Sequence, residues 1–391
     1  MDPPPPPPLG LPTPPDAFAS ASSRLDALDV FRGATVAGMM VVNTPGDWGH
    51  AYPPLLHADW NGWTPTDTIF PFFLFIVGVS IVFSFSRRAG EPGGRRALFL
   101  HALRRGTTIF AIGLALNALS FFLFHRKSLR IPGVLQRIGI CFLAAAILYL
   151  LFGPRGLLPS AAVLLTLYWA LMTFVPVPGY GPGRLDVQGN LAAQVDRAIL
   201  GEHTWKHDPN WDPEGPLSTL PAVATTLFGV AAGELLRSRR PWPAKLAALM
   251  AGGGLALSLG LLWGISFPIN KNLWTSSYAL FMAGLAAVVL ALCLWIVDVR
   301  GWRAWAKPFL WLGTNAIALF VLSTLATILL IAVKIPGDGG KPRSLYGAIY
   351  QAGFHHFSDE RLGSLLFALA FLAVWVVAAA VLYRRRIFIK V

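Results

Sequence analysis

Charge is what this chain has least of. Only 13% of its 391 residues are Asp, Glu, Lys or Arg, where a soluble globular protein carries about 25%. Soluble classes are excluded on that ground. Cysteine is scarcer still: Cys141 and Cys293 lie far apart inside apolar stretches, so neither a disulfide framework nor a metal site is indicated. Acidic residues are also short, 19 against 32 Lys and Arg. A basic excess raises nucleic acid as a partner. Here, however, the basic residues sit in short clusters between apolar runs, where the preference of Lys and Arg for the cytoplasmic side of a membrane accounts for them, and no nucleic-acid partner is expected. What the chain does have is 55% hydrophobic residues, the composition of a protein whose solvent is the lipid bilayer.

The apolar residues are gathered into runs at about 27–45, 66–86, 98–123, 133–152, 157–175, 217–236, 245–265, 273–297, 308–333 and 362–383. Several contain no charge at all, which suits helices and not the alternating strands of a barrel. The expectation is an all-α polytopic membrane bundle of about ten transmembrane helices, each needing ~20 residues. Residues 1–23 begin with a run of six prolines and lack the apolar core of a signal peptide, so they read as a disordered cytoplasmic tail ahead of a membrane domain at 24–391. With the amino terminus inside, 20 of the 32 Lys and Arg residues collect on the inner side, among them Arg87, Arg88, Arg104, Arg105, Arg237 and Arg384. Both termini are then cytoplasmic. The longest internal connection, 176–216, is rich in Pro, Gly, Asp and Trp and falls outside; a loop of that length is usually functional or flexible.

Polar groups at membrane depth cost several kcal/mol unless paired or facing a cavity, so they carry the functional information. The densest group runs from Asn43 to Asp67 and contains His57, Trp60, Asn61 and Trp63. An imidazole can serve as base, acid or acyl acceptor near neutral pH. Asn61 and Asp67 can orient it and the tryptophans can exclude water. Thr64-Pro65-Thr66-Asp67 is equally a helix start, with an N-cap threonine, proline at the first helical position and an acid at the third. Arg130, Gln136 and Arg137 form a second island and Asp212 and Glu214 a third; Asn270-Lys271-Asn272 follows, and Asn315 lies inside the ninth run. Asp29 and Arg32, three apart, can pair on one helix face.

These motifs, in this order, resemble the transmembrane heparan-alpha-glucosaminide N-acetyltransferases and their bacterial relatives, within the wider group of multi-helix membrane acyltransferases. The likeness runs from Leu28-Asp29-Val30-Phe31-Arg32-Gly33 to Asn315-Ala316-Ile317, and is densest at His57-Ala58-x-Trp60-Asn61-Gly62 with Asp67 and at Phe70-Pro71-x-Phe73-x-Phe75-Ile76-x-Gly78. Arg130 to Arg137, Asp212-Pro213-Glu214-Gly215 and Asn270-Lys271-Asn272-Leu273-Trp274 also match. The resemblance implies acetyl transfer from cytosolic acetyl-CoA to an amino sugar on the far side of the membrane, with His57 essential and Asn43 nearby. It also suggests a homodimer. The chain lacks the extra amino-terminal luminal region of the lysosomal members, so a bacterial inner-membrane enzyme acting on another amino sugar or glycan is expected.

His57 is expected in the core of the bundle near its outer side, either deprotonating the acceptor or carrying the acetyl group itself. Asn43 and Asn61 are candidate donors to the thioester oxygen, and Asp67 orients the ring; no metal is needed. Coenzyme A is a polyanion, and Arg104, Arg105 and Arg237 at the inner face, with Arg130, Gln136 and Arg137, are the candidates to hold it. Asp212, Glu214, Asn270, Lys271, Asn272 and Trp60 are the candidates for the acceptor. The alternative is an amino-sugar transporter without chemistry, whose mark would be paired broken helices in two related halves.

Overall fold

The computed structural model of the protein describes residues 25–88, 94–205, 211–337 and 342–389. The proline-rich segment 1–23, and Arg24 and Lys390 from the charge count, lie outside them. The described chain is helical almost throughout: α1 (Asp26–Asn43), α2 (Ile69–Arg88), α3 (Gly94–Leu123), α4 (Val134–Phe174), α5 (Leu191–Leu200), α6 (Thr219–Arg237), α7 (Trp242–Gly264), α8 (Ser276–Cys293), α9 (Lys307–Thr314) and α10 (Ala316–Ala332), then a hairpin of β1 (Lys334–Pro336) and β2 (Pro342–Ser344), α11 (Leu345–Gly353) and α12 (Glu360–Arg384). Strands cannot satisfy their backbone in lipid unless closed into a barrel, and the apolar runs accordingly all form helices. Seven helices are long and apolar enough to cross a membrane, eight if the bent pair α9–α10 counts as one span. α1, with Asp26, Asp29 and Arg32 in 18 residues, is not among them.

Two runs depart from expectation. The pair 133–152 and 157–175 is continuous as α4, but the backbone leaves the helix at Gly153 (φ 64°), just before Pro154. Arg137 in its first turn bonds Ser218, while Tyr168 near its end bonds the Leu273 carbonyl, both 2.5 Å. Tyr149, between them, meets Glu234 near the other end of α6. The chain therefore reverses at Gly153–Pro154, and α4 is two antiparallel limbs. The run 308–333, expected as one helix with Asn315 inside it, is broken at Asn315 and bends by 85°. The reason is local. Asn315 gives its amide to another segment, donating to the Ile387 carbonyl (3.0 Å) and accepting from the Ile389 amide (2.8 Å), and such side chains compete with helical hydrogen bonding.

The largest buried cluster joins α2, α4, α6 and α8 around Leu74, Ile81, Phe142, Leu227 and Met282. Lipid is as apolar as these side chains, so association rests on close packing, which small residues permit. Gly33 on α1 lies against the Phe309 carbonyl of α9, and Gly313 on α9 against the Asp29 carbonyl; a Cβ at either would collide with backbone. At one end of the molecule Leu25 and Ile389 line a common cavity. At the other end the segments 44–68, 211–218 and 265–275 meet.

Candidate functional site

Segment 44–68 turns through short 3-10 helices at Trp48–His50, Pro53–Leu55 and Pro65–Thr68. The last opens α2 with Pro65 at its first position and a Thr64/Asp67 capping box. Asp67 is 1% exposed, and a buried carboxylate must be fully hydrogen-bonded. Its Oδ2 accepts from the backbone amides of Thr64 (2.9 Å) and Ala58 (3.1 Å). That leaves Oδ1 for His57 Nδ1, at 2.6 Å. The helix-start and ring-orienting readings of Asp67 therefore describe one carboxylate using its two oxygens. An ionised carboxylate only accepts, so the tautomer assigned from this bond has hydrogen on Nδ1 and a lone pair on Nε2. The ring is 48% exposed, so His57 stands at the mouth of the site and not in the core.

Nε2 faces Lys271, whose Nζ lies 3.1 Å from it and 3.3 Å from Nδ1. The turn carrying Lys271 is built by Asn270, which is 1% exposed. Its Oδ1 accepts from the Leu273 amide (2.9 Å), its amide donates to the Thr275 hydroxyl (3.1 Å), and its Nδ2 reaches Asn61 Oδ1 (3.2 Å). Gly62, at φ 98°, turns its amide onto the Ile269 carbonyl (2.7 Å) in a conformation that other residues seldom adopt. The two loops are thus fastened together. Burial lowers the Lys271 ammonium below the ordinary lysine range, against the opposing pull of the Glu214 and Asp67 carboxylates. Beneath lies Trp274, fully buried with ring centroids 5.0 Å from Phe70 and 5.3 Å from Tyr278. The Tyr278 hydroxyl donates to the Asp67 carbonyl (2.6 Å).

Beside this cluster, Arg130 grips Asp212 with two nitrogens at 2.9 and 2.8 Å and also meets Glu214. Burial alone would raise the Glu214 carboxyl, but Arg130, Arg137 and Lys271 hold it below the usual range. Arg137, 1% exposed, bonds Ser218 and the Gly215 carbonyl and lies over the Trp274 ring at 5.2 Å. Gln136 donates to the Ile131 carbonyl (3.0 Å). Trp60 donates to the Leu185 carbonyl (2.9 Å) and packs edge-on against Trp211, docking the 176–216 loop onto the site. That loop supplies Asp196, on α5, whose carboxyl accepts from the Asp212 amide (2.9 Å) and is pushed by burial up to about 7.

The arginine-rich end holds a cavity of about 890 Å³, toward the upper end of the range for ligand sites. Arg32, Arg87, Arg88, Arg104 and Arg105 line it, with His101 and Asp29. Asp29 and Arg32 are paired at 2.8 Å, as their spacing predicts. Arg105 lies over the Phe142 ring at 5.0 Å, and its Nε is buried with no hydrogen-bond partner among the described residues. Along α2 the lining climbs from Arg88 through Ser84, Ser80 and Val77 to Phe73. Phe73 is six residues from Asp67, ~9 Å along a helix axis.

Structure thus divides the residues singled out in the sequence between two ends. His57, Asn61, Asp67, Asn270 and Lys271 converge, and Trp60, Arg130, Gln136, Arg137, Asp212 and Glu214 surround them. Asn43 is exposed at the end of α1 and Asn272 is half-buried in the Lys271 turn; neither is hydrogen-bonded to His57. Of the residues named for coenzyme A, Arg104 and Arg105 line the cavity, while Arg237 closes α6 beside Glu234 at 3.9 Å. Arg87, Arg88 and His101 entered the sequence reading only as charges or not at all, and Arg32 only as the partner of Asp29, since nothing in their spacing joins α1, α2 and α3 around one space. Asp196 had no signal either, because only the fold brings it to Asp212.

Comparison with known proteins adds to this. The family model described as heparan-alpha-glucosaminide N-acetyltransferase, catalytic, matches residues 24–256. The protein named heparan-alpha-glucosaminide N-acetyltransferase in Mus musculus is 28% identical over 431 aligned residues, covering 96% of this chain and 62% of its own length. Its namesake in Homo sapiens is 28% identical over 424, covering 94% and 60%. The chain spans about three fifths of the length of these curated relatives.

Proposed function

The chain belongs to the heparan-alpha-glucosaminide N-acetyltransferase family, and we propose that it transfers acetyl across a bacterial inner membrane, from acetyl-CoA at its arginine-rich end to an amino sugar or related glycan at its His57 end. The reading rests on one observation: a carboxylate-held imidazole and an arginine-lined cavity lie at opposite ends of α2, a helix of 20 residues and so ~30 Å. The donor fits the cavity. Its phosphates match Arg87, Arg88 and Arg104, and the apolar arm follows Val77, Ile109 and Phe142 toward Phe73. Phe70 packed on Trp274 closes the remaining turn, so the thioester passes this aromatic layer to react. Ten crossings follow if α1, both limbs of α4 and the bent pair α9–α10 each span.

At the far end His57 works through Nε2. In direct transfer the acceptor nitrogen forms a bond to the acetyl carbon, the carbon–sulfur bond breaks, and the acceptor's proton passes to Nε2 and on to the leaving thiolate. In the covalent route Nε2 takes the acetyl first. Asn61 Oδ1 is engaged by Asn270, which leaves its Nδ2 to donate to the thioester oxygen; Asn43 is a second such donor. Asp212 and Glu214, with Lys271 and the Asn270 turn, face the polar acceptor, and Trp60 holds the loop over it. The named relatives favour this reading over a transporter, and among the described residues one bent pair is present, not two.

Proteoliposomes of defined orientation test it. Acetyl-CoA supplied only at the arginine-rich face acetylates an amino sugar present only at the other, and free coenzyme A appears on the donor side. Sugar crossing unmodified at a rate independent of acetyl-CoA would sink the proposal. Without acceptor, a burst of free coenzyme A equal to the enzyme marks the covalent route, and no burst marks direct transfer.

A further inference from the structure

The carboxy-terminal segment after α12 does something the acetyl-transfer reading leaves unassigned. Arg386, at φ 56°, turns the chain back at the end of α12, with the Arg386 and Ile387 amides capping the Tyr383 and Leu382 carbonyls. A left-handed backbone at a non-glycine residue is costly and persists only where its surroundings hold it. Past this turn the segment is fastened to Asn315. That residue is 2% exposed at the 85° break between α9 and α10, and both ends of its amide are spent on the backbone of this segment, on Ile387 and Ile389. Phe388 and Ile389 thereby become part of the wall of the arginine-lined cavity, opposite Phe73 and the arginines of α2 and α3. Phe388 also sets its ring edge-on to Tyr383, centroids 6.2 Å apart, and the two residues keep 40% and 45% of their surface exposed.

We propose that Asn315 is a positioning residue of the donor site, which pins segment 387–389 as a wall of the cavity, a strap held against the coenzyme A molecule. The inference rests on the donor reading above and deepens it. A buried amide that breaks a membrane helix is otherwise unexplained, since an uninterrupted helix with an apolar residue at 315 would have been the simpler structure. The strap also explains why the cavity borders the break: Gly313, Thr314, Ala316 and Ile317 line it on either side of Asn315.

Three variants of the full chain in detergent test this: Asn315→Leu, which removes both bonds; Asn315→Asp, which keeps the acceptor for the Ile389 amide and loses the donor to Ile387; and a chain ending at Arg386, which removes the strap without touching the bundle. Two hydrogen bonds of ordinary strength correspond to about a tenfold change in affinity or more. Asn315→Leu and the shortened chain should each raise the KM for acetyl-CoA by about tenfold, with Asn315→Asp between them and wild type. KM for the acceptor and kcat should stay within about twofold, and the rise in Tm that coenzyme A alone produces should shrink in the same order. A shortened chain with wild-type KM for acetyl-CoA and a wild-type coenzyme A shift in Tm overturns the strap. So does a parallel rise of both KM values with a fall in ligand-free Tm, which marks a purely structural role. If Asn315→Leu does not fold, the shortened chain decides alone. A wild-type protein that coenzyme A neither stabilises nor serves as product overturns the donor reading itself.

Discussion

His57 depends on a carboxylate that also starts a helix, and substitutions at Asp67 separate these duties. His57→Ala should leave the fold intact and reduce acetyl transfer by 10²–10⁴-fold, as loss of acid–base help does, and by more if the imidazole carries the acetyl group. Asp67→Asn keeps an acceptor for the Thr64 and Ala58 amides but no longer fixes the ring tautomer, so activity falls while Tm changes little. Asp67→Ala removes the cap too, which costs about 1 kcal/mol; steady-state rates beside melting curves for the pair distinguish the duties. Asp196 offers a pH test. With its carboxyl pushed from 3.8 up to about 7 by burial, the folded chain holds a proton that the unfolded chain releases between these values. Stability from this group is therefore full below about pH 4 and is lost as pH rises through 7. Asp196→Asn is neutral throughout, so its Tm relative to wild type should climb from pH 4 to 7 and then level off. A difference independent of pH would show that Asp196 is ionised in the folded chain.

Among the elements, α1 and α9 approach so closely at Gly33 and Gly313 that each backbone occupies the place of the other's side chain. This contact holds Asp29 and Arg32 against α9, where Arg32 also donates to the Gly313 carbonyl (3.3 Å) and the Ser80 hydroxyl (2.9 Å). Gly33→Leu cannot be relieved by a rotamer change, since backbone is in the way. A loss of about 1–3 kcal/mol is expected, as for other overpacked cores, together with weaker coenzyme A binding, both read from melting curves with and without the nucleotide. Unchanged melting would show that the helices part easily. α4 makes a related point at its reversal. Twenty-odd apolar residues suffice for a span, so the stretch of 41 is too long for one crossing, and the glycine and proline at 153 and 154 are where it folds over.

At the scale of the molecule, sidedness decides whether the two sites can serve one reaction. The proposed reading has the cavity end in the cytoplasm, as the arginine clusters suggest, and cysteines at Arg95 and Pro182, exposed residues at opposite ends, should then react with an impermeant maleimide from opposite sides in a background lacking Cys141 and Cys293. Reaction of both from one side would remove the transmembrane geometry and with it the proposed route of the acetyl group.

The sequence by itself determined the helical membrane fold, most helix positions, the Asp29–Arg32 pair and the Thr64–Asp67 cap, because hydropathy, local spacing and capping act over a few residues and need no partner from afar. The ordered motifs likewise carried the family. Only the tertiary structure decided that Lys271 stands against His57, that Arg130 is spent on Asp212 and Glu214, and that one cavity draws Arg32, Arg87 and Arg88 from separate helices. It also decided that Asn315 breaks its helix to hold residues 387–389. Each of these joins segments tens to hundreds of residues apart. Such contacts are set by how helices pack, and helix packing in lipid turns on the shapes of small residues, which a hydropathy pattern does not express.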